Sequence, residues 1–154
     1  MEKKILIVGP AASGKDYLRK KFKERGFPCG VFMTTRPRRG NERNGVDYFF
    51  VEEEKDVAGD FVVGHDYNNW CYRLPVSQWD ECDVFVFTPE YLKQLSERNR
   101  KGCVVIYVCP NWFVRFFRLL KRGDVDGVFR RIRADRKQFE DFKDYDIKIA
   151  NSKF

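Results

Sequence analysis

Gly9-Pro10-Ala11-Ala12-Ser13-Gly14-Lys15 is a run of small residues closed by a lysine, with the spacing GxxxxGK. At that spacing consecutive backbone N–H groups can face one anion, the N-terminus of a following helix adds positive potential, and the lysine reaches the outer phosphates of a triphosphate. The flanks suit such a phosphate turn. Lys4–Val8 is a short apolar run that stops at Gly9, as a buried parallel strand would. Asp16–Glu24 carries Tyr17, Leu18 and Phe22 at helical spacing before Gly26 and Pro28 end it. The turn, continued by Asp16 and Tyr17, is therefore expected to hold ATP. Where such turns place a serine or threonine on magnesium, this chain has Asp16. A carboxylate is a hard ligand that suits Mg²⁺, directly or through water, and it is equally an acid favoured at a helix N-terminus.

A second group of residues has the chemistry of a phosphate grip. Thr34-Thr35-Arg36-Pro37-Arg38-Arg39-Gly40 is followed by Gly45-Val46-Asp47-Tyr48-Phe49-Phe50-Val51. Guanidinium forks make paired, charge-assisted bonds to phosphate, and a tyrosine hydroxyl adds one more. The segment resembles the guanylate kinase family's TTRxPRxGE…GxDYxF motif, and with the phosphate turn the pieces follow that family's order over most of the chain. The resemblance implies that Arg36, Arg39 and Tyr48 bind the phosphate of a nucleoside monophosphate acceptor, with Arg38 in place of Arg39 if the alignment shifts by one. Tyr72, in Asn69-Trp70-Cys71-Tyr72, takes the place of the family's second phosphate-binding tyrosine. A buried tyrosine with a satisfied hydroxyl accounts for Tyr72 equally well.

Farther on, Arg118-Leu119-Leu120-Lys121-Arg122-Gly123 and Phe129-Arg130-Arg131-Ile132 are similar to the family's lid. On that likeness Arg118, Arg122 and Arg131 close over the transferring phosphoryl group and, with Lys15, are the expected catalytic residues. Phosphoryl transfer needs mainly alignment and charge neutralisation, which mobile arginines supply. Asn151, after Tyr145-Asp146-Ile147-Lys148-Ile149-Ala150, falls near the adenine in the same comparison.

The likeness breaks in two places. Phe32, Val63 and Leu74 stand where the family reads guanine with polar side chains. Apolar pockets discriminate weakly among bases, so strict guanine specificity is not expected. The family's DxD is replaced by Val86 and Thr88, leaving Thr88, the nearby Glu90, or Asp66 as substitutes toward the acceptor or metal. The insertion and lid are short, as expected of a compact, divergent enzyme of phage or viral type.

The elements that must position these residues follow from periodicity. Val84–Phe87 and Val104–Val108 read as further buried strands, with a helix from about 89 to 100 between them. Val31-Phe32-Met33 and Tyr48–Val51 read as strand pieces of a small insertion. After Pro110 a helix is expected with Phe113, Phe116, Phe117 and Leu120 on its buried side, then Gly123, a second basic helix through Arg136, and a short last strand in Asp146–Ala150. Alternating strands and helices predict an α/β chain with the three-layer P-loop NTPase fold, a mostly parallel central sheet, a small NMP-binding insertion and a short lid. The 154 residues suffice for one core: about 1–29 and 82–154, the insertion about 30–81, the lid about 118–136.

Thirty Lys and Arg against 23 Asp and Glu give a net charge of +7, as suits an anionic ligand. Five cysteines with no CxxC pair and a single histidine argue against disulfides and structural zinc. No apolar run approaches the roughly eighteen residues that span a bilayer, so a cytoplasmic chain without membrane contact, monomeric or homodimeric, is expected. The function implied is an ATP- and Mg²⁺-dependent nucleoside monophosphate kinase for GMP, dGMP or a related acceptor, nucleic acid not being the expected partner. The alternatives are a catalytically silent binding module for peptide or nucleic acid, and a kinase for another small acceptor.

Overall fold

The computed structural model describes residues 3–56, 59–121 and 125–150. In chain order its elements are β1 Lys4–Val8, α1 Lys15–Glu24, β2 Met33–Thr34, β3 Phe49–Phe50, β4 Phe61–Tyr67, β5 Trp70–Pro75, α2 Val76–Glu81, β6 Val84–Phe87, α3 Pro89–Gln94, α4 Glu97–Lys101, β7 Cys103–Val108, α5 Trp112–Lys121, α6 Val125–Phe139 and β8 Ile147–Ile149.

Two sheets result. The main sheet has the order β6-β1-β7-β8 and is parallel throughout, with Leu6 opposite Phe85 on one side and Val105 on the other. Alternation along these strands divides the core into two faces. Leu6, Val8, Phe85, Phe87 and Val105 pack with Trp79 of α2, Tyr91 and Leu92 of α3, and Phe139 of α6. Ile7, Val84, Ile106 and Val108 pack with Leu18 and Phe22 of α1. Helices thus cover both faces of a parallel sheet, the three-layer α/β arrangement expected of the P-loop NTPase fold, and β1 delivers Gly9 to the C-terminal edge where ligands bind.

The smaller sheet, β3-β2-β5-β4, is built from the insertion. Its β4–β5 hairpin and α2 have no counterpart in the sequence expectation. Gly64, His65, Asp66, Asn68 and Asn69 interrupt the apolar pattern, and burial falls on only a few residues, among them Val63, Cys71 and Leu74. Asn68 and Asn69 both have positive φ, 50° and 63°, the conformation of a two-residue hairpin turn that matches strand twist.

Two expected helices are corrected. The segment after Thr88 is two short helices: Leu95 turns extended, and the Ser96 side chain accepts from the Asn99 N–H at 3.2 Å, starting α4. A capping serine ends one helix by opening the next. In α5 the buried residues are Arg115 and Leu119, whereas Phe113 and Phe117 are exposed, 54% and 60%. Arg115 lies inward, paired with an acid on α6, while Phe116 of the expected stripe is half-buried. The five cysteines are free thiols.

Candidate functional site

The phosphate turn is shaped by close approach and by two left-handed residues, Ala12 with φ 56° and Gly14. A Cβ on Gly9 would lie 2.3 Å from the Val108 carbonyl oxygen, so only glycine lets the turn leave β1 against β7. Gly14, with φ 104°, starts α1, and a positive φ favours a residue without Cβ. Ser13 is fully buried within the turn, and its Oγ has no hydrogen-bond partner among the described residues. Lys15 Nζ donates to the carbonyls of Gly9 and Pro10 at 2.6 and 2.8 Å, which keeps the ammonium at the mouth of the turn.

Helix α5 supports the turn from outside. Arg118 donates to the carbonyls of Ala12 and Ser13 at 3.2 and 3.4 Å. A groove of about 330 Å³ runs along Ala11 to Tyr17 and is edged by Arg118, so the turn expected to hold ATP and one arginine expected in the lid lie side by side there. Tyr17 is half exposed beside it. Of the other lid arginines, Arg131 is exposed on α6, and Arg122 lies outside the described residues, as does Asn151.

The insertion faces the turn across a cleft of about 520 Å³, lined by Gly9, Lys15 and Asp16 on one side and by Glu42, Asp47, Tyr48, His65 and Tyr72 on the other. Arg36, only 4% exposed, is held by Glu42: its guanidinium donates to Glu42 Oε1 at 2.9 Å, and the Arg39 N–H donates to Oε2 at 2.8 Å. The Arg36 guanidinium stacks 5.4 Å from the Tyr48 ring, and Tyr48 and Tyr72 are 6.0 Å apart, edge to face. Asp47 accepts from the Arg43 N–H at 2.7 Å and so fixes the turn that presents Tyr48. Burial raises the Tyr48 pKa, which keeps its hydroxyl a proton donor. Arg39 lies at 6.0 Å over Trp70. Three cationic or hydroxyl groups, Arg36, Tyr48 and Tyr72, therefore converge, a set that suits a phosphate dianion.

Beyond them the cleft is aromatic. Phe32 stacks on Tyr91 at 4.7 Å, and His65 stacks on Tyr72 at 5.5 Å with its Nδ1 buried and unpartnered. Val63 and Leu74 belong to the main core cluster. Burial drives the Tyr91 pKa far above its ordinary value. Thr88 lines the cleft while its Oγ caps α3 by accepting from the Tyr91 N–H. Glu90 is exposed on the first turn of α3 and is not part of the cleft lining. Asp66 pairs with Arg73 at 2.8 Å.

Sequence reasoning missed Glu42, Arg115 and Asp135. Glu42 sits six residues from Arg36, a spacing with no meaning until the loop folds. Asp135 accepts from the Ala11 N–H at 3.0 Å and pairs with Arg115.

Asp16 lines both the groove and the cleft. Among the described residues no three His, Cys, Asp or Glu side chains cluster for a metal. One carboxylate beside a triphosphate turn fits Mg²⁺, which keeps most of its waters and takes its other ligands from phosphate oxygens.

A family model described as guanylate kinase matches residues 1–59. The guanylate kinase of Oceanobacillus iheyensis is 30% identical over 99% of this chain and 82% of its own length; that of Enterococcus faecalis is 27% identical over 96% and 79%. The crystal structure of guanylate kinase from Anaplasma phagocytophilum superposes with a TM-score of 0.69 at 21% identity, over 97% of this chain and 77% of that one. With its phosphate turn, its insertion and its near full-length likeness to a 30%-identical relative, the chain belongs to the guanylate kinase family.

Proposed function

We propose that the protein is an ATP-dependent nucleoside monophosphate kinase that moves the γ-phosphoryl group of ATP onto the phosphate of GMP or a closely related nucleoside monophosphate. One observation carries this reading: a single cleft has the phosphate turn on one wall and Tyr48 and Tyr72 on the other, with the buried Arg36 guanidinium 5.4 Å from the Tyr48 ring, so donor and acceptor phosphates would meet within it.

The chain's residues divide the work. The N–H groups of the turn and Lys15 hold the β- and γ-phosphates, Arg118 supports the turn's outer rim, and Arg36, Arg39, Tyr48 and Tyr72 orient the acceptor phosphate for in-line attack. The attacking oxygen is already ionised, so the site needs no general base; positioning and charge neutralisation supply the rate. Thr88 and Asp16 border the path between the phosphates, and Asp16 is the residue that would hold Mg²⁺, whose charge offsets that of the phosphates when bound. Residues about 118–136 act as the lid and residues about 30–81 as the acceptor lobe. Among the described residues no helix is long and apolar enough to cross a membrane, which supports a cytoplasmic setting.

A coupled assay of ADP formation across all ribo- and deoxynucleoside monophosphates tests the reading. Turnover with at least one acceptor is expected, and Lys15→Ala is expected to lower kcat by roughly a hundred- to a thousandfold, the scale seen when one charge-stabilising donor is removed. A folded chain that turns over no acceptor overturns it.

A further inference from the structure

Arg115 is the only buried charge described on α5, 8% exposed, and the turn sequence gives no reason for it. Its Nε donates to the Ala11 carbonyl at 3.0 Å, and its terminal nitrogen donates to Asp135 Oδ2. The same carboxylate oxygen accepts from the Ala11 N–H at 3.0 Å. Residue 11 is thus held through both its polar backbone atoms by two side chains from two helices, more than a hundred residues away in sequence. One helical turn on, Arg118 takes the next two carbonyls, those of Ala12 and Ser13.

We propose that Arg115 and Asp135 are positioning residues for the donor triphosphate: together they clamp Ala11 and make the shape of the phosphate turn depend on how α5 and α6 are seated. The geometry gives a direction to the effect. In a trans peptide the carbonyl and the following N–H point opposite ways. Drawing the Ala11 carbonyl toward Arg115 therefore turns the Ala12 N–H to the other side of the loop.

The charges matter as much. Asp135 borders the cleft and touches the turn that must hold a polyanion. Arg115 neutralises it; without Arg115 an unpaired carboxylate would face the phosphates. A buried pair of this kind can often be exchanged for apolar residues with little loss of stability, whereas removing one partner is costly.

The inference rests on reading the turn as the ATP site, and the test separates the two. Binding of a nonhydrolysable ATP analogue is measured by calorimetry alongside thermal unfolding and steady-state kinetics. Arg115→Met is expected to weaken analogue binding by roughly thirtyfold or more, the scale of leaving one charge of a buried pair unpaired. The acceptor KM is expected to change clearly less than analogue binding does, because Arg115 and Asp135 bond the phosphate turn directly and neither bonds Arg36, Tyr48 or Tyr72. Arg115→Lys, which keeps the charge without the fork, falls between. In Arg115→Leu/Asp135→Ala the repulsion is gone but the clamp is too, so binding recovers only to within about tenfold of the unsubstituted chain. That double variant also decides the matter if Arg115→Met does not fold. Analogue binding by the double variant equal to that of the unsubstituted chain overturns the clamp, as does an Arg115→Met effect that is the same on donor and acceptor. If the unsubstituted chain binds no ATP analogue, the donor-site reading falls and the clamp with it.

Discussion

Arg36 is buried beside one carboxylate, and that pairing sets both its orientation and its response to pH. Burial opposes the charge on each partner, but the hydrogen bond and attraction between Arg36 and Glu42 outweigh it, helped at Glu42 by the Arg39 N–H. The Arg36 pKa is raised, and that of Glu42 is held below 4.5. Since Glu42 is more acidic folded than unfolded, its contribution is complete above about pH 4.5 and is lost as pH falls through the folded value. Glu42→Gln is expected to lower stability at pH 7 by about 1–2 kcal/mol, the scale of one hydrogen bond to a charged group. The difference should vanish in strong acid, and unfolding midpoints followed against pH would check it; identical midpoints at pH 7 would show that the carboxylate does not hold Arg36. The candidate grip comes from the resemblance of the Thr34–Gly40 and Gly45–Val51 segments to the guanylate kinase motif, and the fold brings Arg36, Tyr48 and Tyr72 together. Glu42 was not legible in the sequence, since its partner is chosen by a loop conformation. Arg115 and Asp135 were less so still: a lone arginine on an amphipathic helix looks like a solvent-facing residue until the acid twenty positions later is brought against it.

At the level of elements, β1, β6 and β7 of the main sheet were readable because burial makes them continuous apolar runs, and the glycine turn marked where β1 ends. The insertion resisted reading because its strands are half exposed and polar, and the two-asparagine turn of β4–β5 is a weaker signal than Asn-Gly. What attaches this lobe to the core is also a matter of contact. The Gly30 N–H donates to the Val84 carbonyl at 3.0 Å, and the Pro28 carbonyl accepts from the N–H groups of Asp83 and Val84, so the lobe enters alongside β6. A Cβ on Gly30 would fall 2.2 Å from the ring of Phe85, which is fully buried in the main cluster. Gly30→Ala is therefore expected to destabilise the protein by about 1–3 kcal/mol, as overpacking of a filled core does. Because Gly30 also lines the cleft, the acceptor KM should rise while analogue binding at the phosphate turn is kept. Denaturant unfolding with parallel acceptor kinetics checks both; an unchanged midpoint would mean that the Phe85 ring yields freely.

On the scale of the whole molecule, the two sheets set the proposed acceptor grip opposite the glycine turn, and the cleft between them is lined largely by Val31, Phe32, Val86, Phe87 and Tyr91, with His65 and Thr88 among its polar members. Phe32 lines the cleft, 7% exposed and stacked on Tyr91, whereas Val63 and Leu74, expected beside the base, are buried in the core and do not line it. On the proposed reading, recognition rests mainly on the phosphate, which every acceptor carries, and less on base edges. A site built of polar groups rejects the wrong analogue by leaving those groups unpaired, whereas an apolar wall separates related ligands by only about 10–200-fold. The ratio of kcat/KM between GMP and the next best nucleoside monophosphate is accordingly expected to fall in that range. Removing the acceptor phosphate, by offering the nucleoside instead, should abolish turnover altogether. Discrimination by four orders of magnitude or more would require a polar reader. His65, with its buried and unpartnered Nδ1 beside Tyr72, is the described side chain placed to be one, so in that event His65→Phe would collapse the discrimination while leaving turnover with the poorer acceptors intact.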